Sequence, residues 1–471
     1  MAEAPKGDLA PLFSPSSVAV IGATPKEGHV GYVIFSNLTR KFKGKVYPVN
    51  PKYQEINGVK CYRSILDIED QVDLAVIAVP APVVPQVVSE AVKKGVKAMI
   101  IISGGFSEVG DEGARLEGEV RKIIEGSGVR VLGPNCIGVY NAYNGLDTFF
   151  LPEDRMGRPS KGPIALISQS GAVAAAILDW AARRRIGIGI AVNYGNKIDV
   201  GDVELIEYLA KIPEIKVITI YIEGFKYPNE GVRFLQAVKG VVPNKPVIVY
   251  KAGRTRESAR AVASHTAALA GNYEMYRGMF RQAGLIEANS VREMFDLAKA
   301  LATQPLPRGR RVLVLTDSGG MGVQAVDTLS QLGLEVPELP ETMQSMLRKA
   351  LPPLAVVRNP VDLTGSATDE MYKFVLEALL PTSYVDMALI VALMQIPGLT
   401  QNLANYIVEA KRFSKPMVVV SFGGSAIMDK VNEILESNGI PVYNAPDRGA
   451  KALWALVQYA KVKKILREEV E

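Results

Sequence analysis

The sequence contains very few cysteines and histidines. Two of each, Cys61, Cys136, His29 and His265, occur among 471 residues. Two cysteines exclude a disulfide framework, and their scarcity favours a reducing compartment. The four side chains also exclude a zinc site of the usual Cys/His kind, so no metal site is predicted.

Long apolar runs and a signal-peptide core are missing as well. Apolar runs such as residues 387–394 are far shorter than the ~20 residues that a membrane-spanning helix needs. The N-terminus includes Glu3 and Asp8 and no apolar core. We therefore expect a soluble, cytoplasmic protein with no membrane partner. The net charge of +5, spread over the whole chain, requires no nucleic acid partner.

The sequence is rich, by contrast, in short β-branched apolar runs that alternate with helical patterns. The first five of these runs are residues 18–22, 46–50, 74–79, 98–103 and 129–133. Such alternation predicts buried parallel strands in an α/β fold, and the length allows about three domains. We predict doubly wound domains at residues 1–140, 141–303 and 304–471, with residues 141–162 as a linker.

The turn after the first strand contains Gly22, Ala23 and Thr24, and it departs from the G-x-G-x-x-G pattern of NAD-binding domains. After the second strand those domains carry an acid for the ribose hydroxyls, but this chain carries Lys52. A lysine there suits a ligand with a phosphate on its ribose, such as CoA or NADP, although a solvated lysine explains it equally well. Ordinary NAD binding is not expected. The ligand would cross the sheet edge at the later strand ends, Val79-Pro80 and Ile102-Ser103-Gly104.

Two stretches share the pattern of an apolar strand, a Ser-Gly turn and an apolar helix. One leads into Ser170-Gly171 and the other into Ser318-Gly319-Gly320. Each turn places free backbone N–H groups at the positive end of a helix, where a phosphate binds favourably. A single serine there is also a common helix cap, so the repeat is the informative feature. The two helix ends could share one site or serve as two stations for one carrier.

A segment of small residues, 261–272, contains His265 and follows three arginines. Small side chains lose little conformational entropy when a segment changes place, and an imidazole can act as a nucleophile near neutral pH. We favour a covalent role for His265 over a buried histidine in an Ala-rich helix. Glu223 ends a buried strand at the ligand-binding edge, where it could orient the imidazole. A solvated glutamate is the alternative.

Taken in order, these motifs resemble those of the NDP-forming acyl-CoA synthetases, the superfamily of succinyl-CoA synthetase, and most closely the α subunits of its ADP-forming acetyl-CoA synthetases. The resemblance covers nearly the whole chain. The motifs that carry it are Gly22-Ala-Thr24, Asn50-Pro-Lys52, Ser168-Gln-Ser-Gly171, Glu223-Gly224, Ser264-His-Thr-Ala267 and Asp317-Ser-Gly-Gly320. It implies an α/β fold with a Rossmann-like CoA-binding domain followed by two flavodoxin-like doubly wound domains.

The resemblance also implies an acid–CoA ligase that interconverts acyl-CoA, ADP and phosphate with acid, ATP and CoA. An acyl phosphate would form first, and a phosphohistidine at His265, oriented by Glu223, would then carry the phosphoryl group to ADP. The implied phosphate-binding residues are Ser170, Gly171, Ser318, Gly319 and Gly320. The implied CoA-binding residues are Gly22, Ala23, Thr24, Lys52, Val79, Pro80, Ile102, Ser103 and Gly104.

Substrate and partners are implied in the same way. No ATP-grasp region follows the third domain, so Mg-ADP or Mg-ATP is expected to bind through a separate ATP-grasp β subunit in an α2β2 heterotetramer. Succinate-using relatives carry a tyrosine where this chain has Ala175, which favours another acid, with acetate as the expected substrate.

Two other interpretations compete with the ligase. A regulatory CoA-binding protein that has lost the chemistry predicts a replaced histidine or broken Ser-Gly turns, and both are intact. An NADP-linked oxidoreductase depends on Lys52 and the Rossmann-like first domain alone.

Overall fold

The computed structural model describes residues 7–260 and 272–468. Contacts within the chain divide it into two units, Met1–Glu287 and Ala288–Glu471. The first unit contains two large sheets and the second contains one. No helix within the described residues is long and apolar enough to cross a bilayer.

The first sheet of the first unit is parallel. The strands of this part of the chain are β1 (Ser17–Ile21), β2 (Lys45–Val49), β3 (Glu55–Ile56), β4 (Val59–Lys60), β5 (Leu74–Ile77), β6 (Ala98–Ile101) and β7 (Arg130–Leu132). Strands β3 and β4 form a separate hairpin, and the other five form the sheet. The helices are Ala10–Phe13, Val30–Lys41, Val84–Lys94 and Asp111–Ile124. Strands β1, β5 and β6 are buried along their whole length, as continuous apolar runs in a two-sided parallel sheet should be.

The strand order of this sheet is β2-β1-β5-β6-β7. The chain therefore leaves β1 toward one side of the sheet and returns to the other side at β5. Such a reversal opens a crevice at the carboxyl ends of the two strands, where doubly wound sheets bind their ligands. The turn at Gly22 and the strand end at Val79 lie at this crevice.

The second sheet has seven strands in the order β14-β13-β12-β10-β11-β8-β9. They are β8 (Gly138–Asn141), β9 (Leu146–Asp147), β10 (Ile164–Ser168), β11 (Ile188–Asn193), β12 (Val217–Ile222), β13 (Val247–Lys251) and β14 (Ile286–Glu287). The helices are Gly171–Arg183, Asp202–Ala210, Glu230–Val241 and Tyr273–Gln282. The strands from β10 to β14 are parallel, whereas β8 pairs with β11 and β9 with β8 in antiparallel register.

The stretch 141–162 differs from the predicted linker. It contains β9, and it follows directly on β8, so the chain folds back along the edge of the second sheet. Leu146, Thr148 and Phe149 are completely buried there. The side-chain amide of Asn37 donates to the Phe149 carbonyl oxygen at 2.8 Å. These residues are packed because the hairpin covers apolar surface that a solvated linker would leave exposed.

The second unit begins with helix Val291–Thr303, which Ser290 caps by accepting a bond from the Glu293 N–H at 3.1 Å. Its sheet has the order β16-β17-β15-β18-β19-β20. The strands are β15 (Val312–Thr316), β16 (Val356–Val357), β17 (Val361–Asp362), β18 (Met387–Leu393), β19 (Met417–Phe422) and β20 (Val442–Tyr443). The remaining helices are Gly319–Gln331, Glu341–Ala350, Asp369–Leu379, Asn402–Glu409, Ser425–Ser437 and Pro446–Glu468. All strand pairs are parallel except β16 with β17.

Candidate active site

A cavity of about 480 Å³ lies in the first unit, where loops of its two sheets meet. Ile102, at the carboxyl end of β6, lines the cavity from the side of the first sheet. Ser170, Gly171 and Glu223 line it from the side of the second sheet. Four residues predicted for CoA, phosphate and catalysis are therefore gathered around one space.

The Ser-Gly turn of the second sheet forms a capped helix end. Ser170 precedes helix Gly171–Arg183, and its hydroxyl oxygen accepts a bond from the Val173 N–H at 3.4 Å. The fully buried Asn193 holds the turn, because its side-chain amide donates to the carbonyl oxygens of Ser168 and Gln169 at 2.9 and 3.0 Å. The first N–H groups of a helix have no partner within it, so this part of the cavity wall favours an anion.

Glu223 lies buried at the carboxyl end of β12. The side-chain oxygen of Gln169 accepts bonds from the N–H groups of Glu223 and Gly224 at 2.8 and 3.1 Å. Gln169, which lies within the Ser-Gly turn, thereby fixes the end of β12 that carries the Glu223 carboxylate. On the other side, the Lys251 ammonium donates to the Glu223 carbonyl oxygen at 2.7 Å. Burial lowers the pKa of Lys251 to about 8, against the opposing effect of the Glu223 charge.

The predicted CoA residues of β1 and β2 lie close together. Gly22 has a φ of 97°, and a Cβ there would overlap the Ala78 carbonyl oxygen, so the turn requires glycine. The Asn50 side-chain amide donates to the Ala23 carbonyl oxygen at 2.8 Å. The Asn50 side-chain oxygen accepts from the N–H of the exposed Lys52 at 3.0 Å. Thr24 adjoins this turn, and its hydroxyl lies 3.4 Å from the Tyr53 hydroxyl oxygen.

The predicted CoA residues of β5 and β6 form a second group at the same sheet edge. The Ser103 hydroxyl donates to the Val79 carbonyl oxygen at 2.5 Å. Pro80 and Gly104, which follow, are exposed. Because β1 and β5 are neighbours in register, the two groups lie along one crevice, and Ile102 connects the second group to the cavity.

Sequence reasoning missed a polar network that lines the same cavity. The Asn196 side-chain amide donates to Glu108 at 2.6 Å and to Glu117 at 3.0 Å, and the Lys226 ammonium donates to Glu117 at 2.7 Å. Burial acts to raise the pKa of both carboxyl groups, but these donors hold each pKa below its ordinary value. Asn196 follows a strand end, which is the signal that could have identified it.

The third sheet repeats the strand, turn and helix as predicted, with Ser318 before helix Gly319–Gln331. Gly319 and Gly320 are exposed. Burial raises the pKa of the neighbouring Asp317 to about 6, although its carboxylate accepts a bond from the Leu393 N–H at 3.0 Å. An acidic residue, Asp317, therefore directly precedes Ser318, whereas the neutral Gln169 precedes Ser170.

His265 lies outside the described residues, so its predicted contact with Glu223 stays a prediction. The chain that leads toward it leaves β13 at Lys251 and is helical at residues 256–260. The Arg254 guanidinium donates to the Lys251 carbonyl oxygen at 2.9 Å. The path to the histidine therefore begins beside Glu223.

Comparisons with known proteins match all three sheets. Residues 16–142 match a CoA binding domain, residues 161–301 a succinyl-CoA ligase like flavodoxin domain, and residues 312–466 a ligase-CoA domain. The chain is 41% identical over 96% of its length to the acetate–CoA ligase (ADP-forming) II subunit alpha of Pyrococcus furiosus, of which 97% is covered.

Two further relatives extend this result. The acetate–CoA ligase (ADP-forming) I of Archaeoglobus fulgidus is 40% identical over 98% of this chain, which spans 65% of that longer protein. The dinucleotide forming acetyl-coenzyme A synthetase 1 of Ca. Korarchaeum cryptofilum, solved with phosphate and ADP, has a TM-score of 0.91. It is 39% identical, with 98% of this chain and 99% of that chain covered.

The fold and the cavity define an acyl-CoA ligase of the succinyl-CoA synthetase superfamily. The chain belongs to the ADP-forming branch of that superfamily, the NDP-forming acyl-CoA synthetases. The predicted order of a Rossmann-like CoA-binding domain and two flavodoxin-like domains is confirmed.

Proposed function

We propose that the protein is the α subunit of an ADP-forming acid–CoA ligase. The observation that carries this proposal is the cavity in which the CoA-side strand end at Ile102 meets the Ser170-Gly171 helix end and Glu223. A thioester held along the first sheet and a phosphate held at the helix end would meet in this space. A regulatory CoA-binding protein has no need of a capped anion site beside a buried carboxylate.

In the first step, an oxygen of inorganic phosphate attacks the thioester carbonyl carbon. A C–O bond forms, the C–S bond breaks, and the CoA thiolate leaves and takes up a proton. The product is an acyl phosphate. The N–H groups at the start of helix Gly171–Arg183 stabilise the charge on the phosphate, because they are fixed before it binds.

In the second step, the His265 imidazole attacks the phosphorus atom of the acyl phosphate. The N–P bond forms as the bond to the acyl oxygen breaks, and the acid leaves as a carboxylate. Glu223 accepts a hydrogen bond from the other ring nitrogen, which orients the imidazole and stabilises the positive charge that develops on it. The phosphohistidine then gives its phosphoryl group to ADP, with Ser318, Gly319 and Gly320 as the second anion site.

CoA is proposed to bind along the crevice of the first sheet. The turn at Gly22, Ala23 and Thr24 admits the phosphates close to the backbone, and Lys52 contacts the ribose phosphate. The chain end of CoA that carries the thiol passes Val79-Pro80 and Ile102-Ser103-Gly104 toward the cavity. This path follows the carboxyl ends of β1, β5 and β6, where such sheets bind ligands.

Mg-ADP is proposed to bind through a separate ATP-grasp β subunit in an α2β2 complex. In support, the relative of equal length is named a subunit alpha, whereas the longer relative carries no subunit in its name. Acetate is the favoured acid, because both names contain it. The resemblance drawn from the sequence also implies a tyrosine in succinate-using relatives at the position of Ala175. The domain boundaries at residues 140 and 303 and the cytoplasmic location remain predictions from the sequence.

The test is the release of CoA thiol from acetyl-CoA by the chain together with its β partner. We expect release over many turnovers that requires both phosphate and ADP and that is lost in His265→Asn. Release that needs no phosphate would contradict the proposal and indicate a thioesterase. CoA binding without any release in the complete mixture would favour the regulatory protein.

A further inference from the structure

Asn135 lies at the cavity between the two sheets of the first unit. Its backbone N–H donates to the Ser103 carbonyl oxygen at 2.9 Å, which fixes it to the strand end proposed for CoA. Its φ of 56° is a left-handed conformation that asparagine tolerates better than most residues. The side chain is exposed, although its neighbours Pro134 and Cys136 are buried. The loop therefore presents a single polar side chain to the cavity.

The orientation of this side chain is set by Asn196. The Asn196 amide nitrogen donates to the carboxylates of Glu108 and Glu117, which accept hydrogen bonds and donate none when ionised. The oxygen of the same amide must therefore point away from them. It accepts a bond from the Asn135 amide nitrogen at 3.3 Å.

The Asn135 amide nitrogen carries a second hydrogen. Within residues 7–260 and 272–468, this nitrogen donates a hydrogen bond to the Asn196 oxygen alone, and that bond takes one of its two hydrogens. The ionised carboxylates thus fix, through Asn196, which end of the Asn135 amide is the donor. Asn135, whose amide nitrogen is this donor, lines the cavity together with Ile102 and Gly171.

We propose that Asn135 donates this N–H to the thioester carbonyl oxygen, and that Asn196 is the positioning residue that holds it in place. The inference rests on the proposed function and concerns only its first step. When phosphate attacks the carbonyl carbon, the π electrons of the C=O bond move onto its oxygen. The Asn135 N–H stabilises that oxyanion until the C–S bond breaks and the carbonyl re-forms.

The test separates the two routes by which His265 should acquire a phosphoryl group. One route starts from acetyl-CoA and phosphate and passes through the thioester, and the other starts from ATP with the β subunit. The variants are Asn135→Gly, which keeps the left-handed backbone, and Asn135→Asp, which keeps the size of the side chain. The matched control is Asn57→Gly, because Asn57 is also exposed and has a φ of 52° in the β3–β4 hairpin.

We expect both Asn135 variants to slow labelling from acetyl-CoA by about 10²-fold, the usual effect of losing one oxyanion donor. Labelling from ATP should not change, and Asn57→Gly should match the wild-type protein in both routes. Wild-type rates from acetyl-CoA in the Asn135 variants would overturn the inference. An equal loss in both routes would also overturn it, since it would show a general disturbance of the site. Failure of the proposed function is distinct, because the wild-type protein would then be labelled by neither route.

Discussion

The ammonium nitrogen of Lys251 lies 2.7 Å from the backbone carbonyl oxygen of Glu223 and 2.5 Å from that of Ala252. It also lies 4.6 Å from the centre of the Tyr276 ring. One buried cation thus ties the strand end that carries the proposed catalytic carboxylate to the start of the chain that leads to His265. The contact fixes the two elements relative to each other.

Lys251 should titrate near pH 8, because its burial lowers the pKa from 10.5. Between these two values the unfolded chain binds a proton that the folded chain does not, so the free energy of unfolding should rise with pH over this window. NMR of ¹³C-labelled lysine side chains measures the pKa, with Lys251→Met to assign the signal. A signal that titrates above pH 10 would show that the ammonium is not buried as described.

Glu223→Gln should slow phosphorylation of His265 by about 10²-fold or more, because the neutral amide cannot stabilise the positive charge on the imidazole. Rapid-quench labelling measures the rate, and equilibrium binding of CoA should be unchanged. The matched control is Glu214→Gln, an exposed carboxylate just before the other end of β12. Equal rates for the two variants would remove Glu223 from the mechanism.

Gly22→Ala should weaken CoA binding by about tenfold or more and lower the melting temperature, since a Cβ would overlap the Ala78 carbonyl oxygen. Gly58→Ala provides the comparison. Gly58 also has a positive φ, 80°, but a Cβ there meets nothing within 4 Å. The Gly58→Ala substitution should cost about 1–2 kcal/mol of backbone strain and leave CoA binding intact. Calorimetry measures the affinity of each variant for CoA. Equal affinities of Gly22→Ala and Gly58→Ala would show that CoA does not bind at the Gly22 turn.

Lys52→Ala should lower the affinity for CoA while leaving that for dephospho-CoA unchanged, because the exposed ammonium is proposed to contact only the ribose phosphate. The loss should be about tenfold and should shrink at high salt. Lys43→Ala, another exposed lysine of this domain, is the control. If the protein bound NADP and CoA failed to displace it, the oxidoreductase interpretation would be favoured instead.

Much of the fold could be predicted because the buried strands are continuous apolar runs and the helix ends carry polar caps. Ser170 illustrates this, since a serine between a strand and an apolar helix is the N-cap that its position suggested. The stretch 141–162 illustrates the limit. Its glycines and mixed charges are typical of a linker, but burial of Leu146 and Phe149 makes it part of the second sheet.

The site could be predicted only in part, because its geometry depends on pairs that are distant in the chain. Glu223 was found from its strand end, but the bond that ties its backbone to the Ser-Gly turn comes from Gln169, 54 residues away. The orientation of Asn135 likewise depends on Asn196, 61 residues away. Gln169 lies within the Ser-Gly turn and Asn196 follows a strand end, but neither local pattern reveals which distant residue the side chain contacts.

The most direct test of the central claim is the intact mass of the chain alone after incubation with acetyl-CoA and phosphate, without nucleotide. We predict one added phosphoryl group that is acid-labile, stable to base and absent from His265→Ala. If acetyl-CoA fails but ATP with the β subunit labels His265, the nucleophile stands and only the acid is wrong. Absence of the label by both routes would contradict the ligase account and leave a CoA-binding protein in its place.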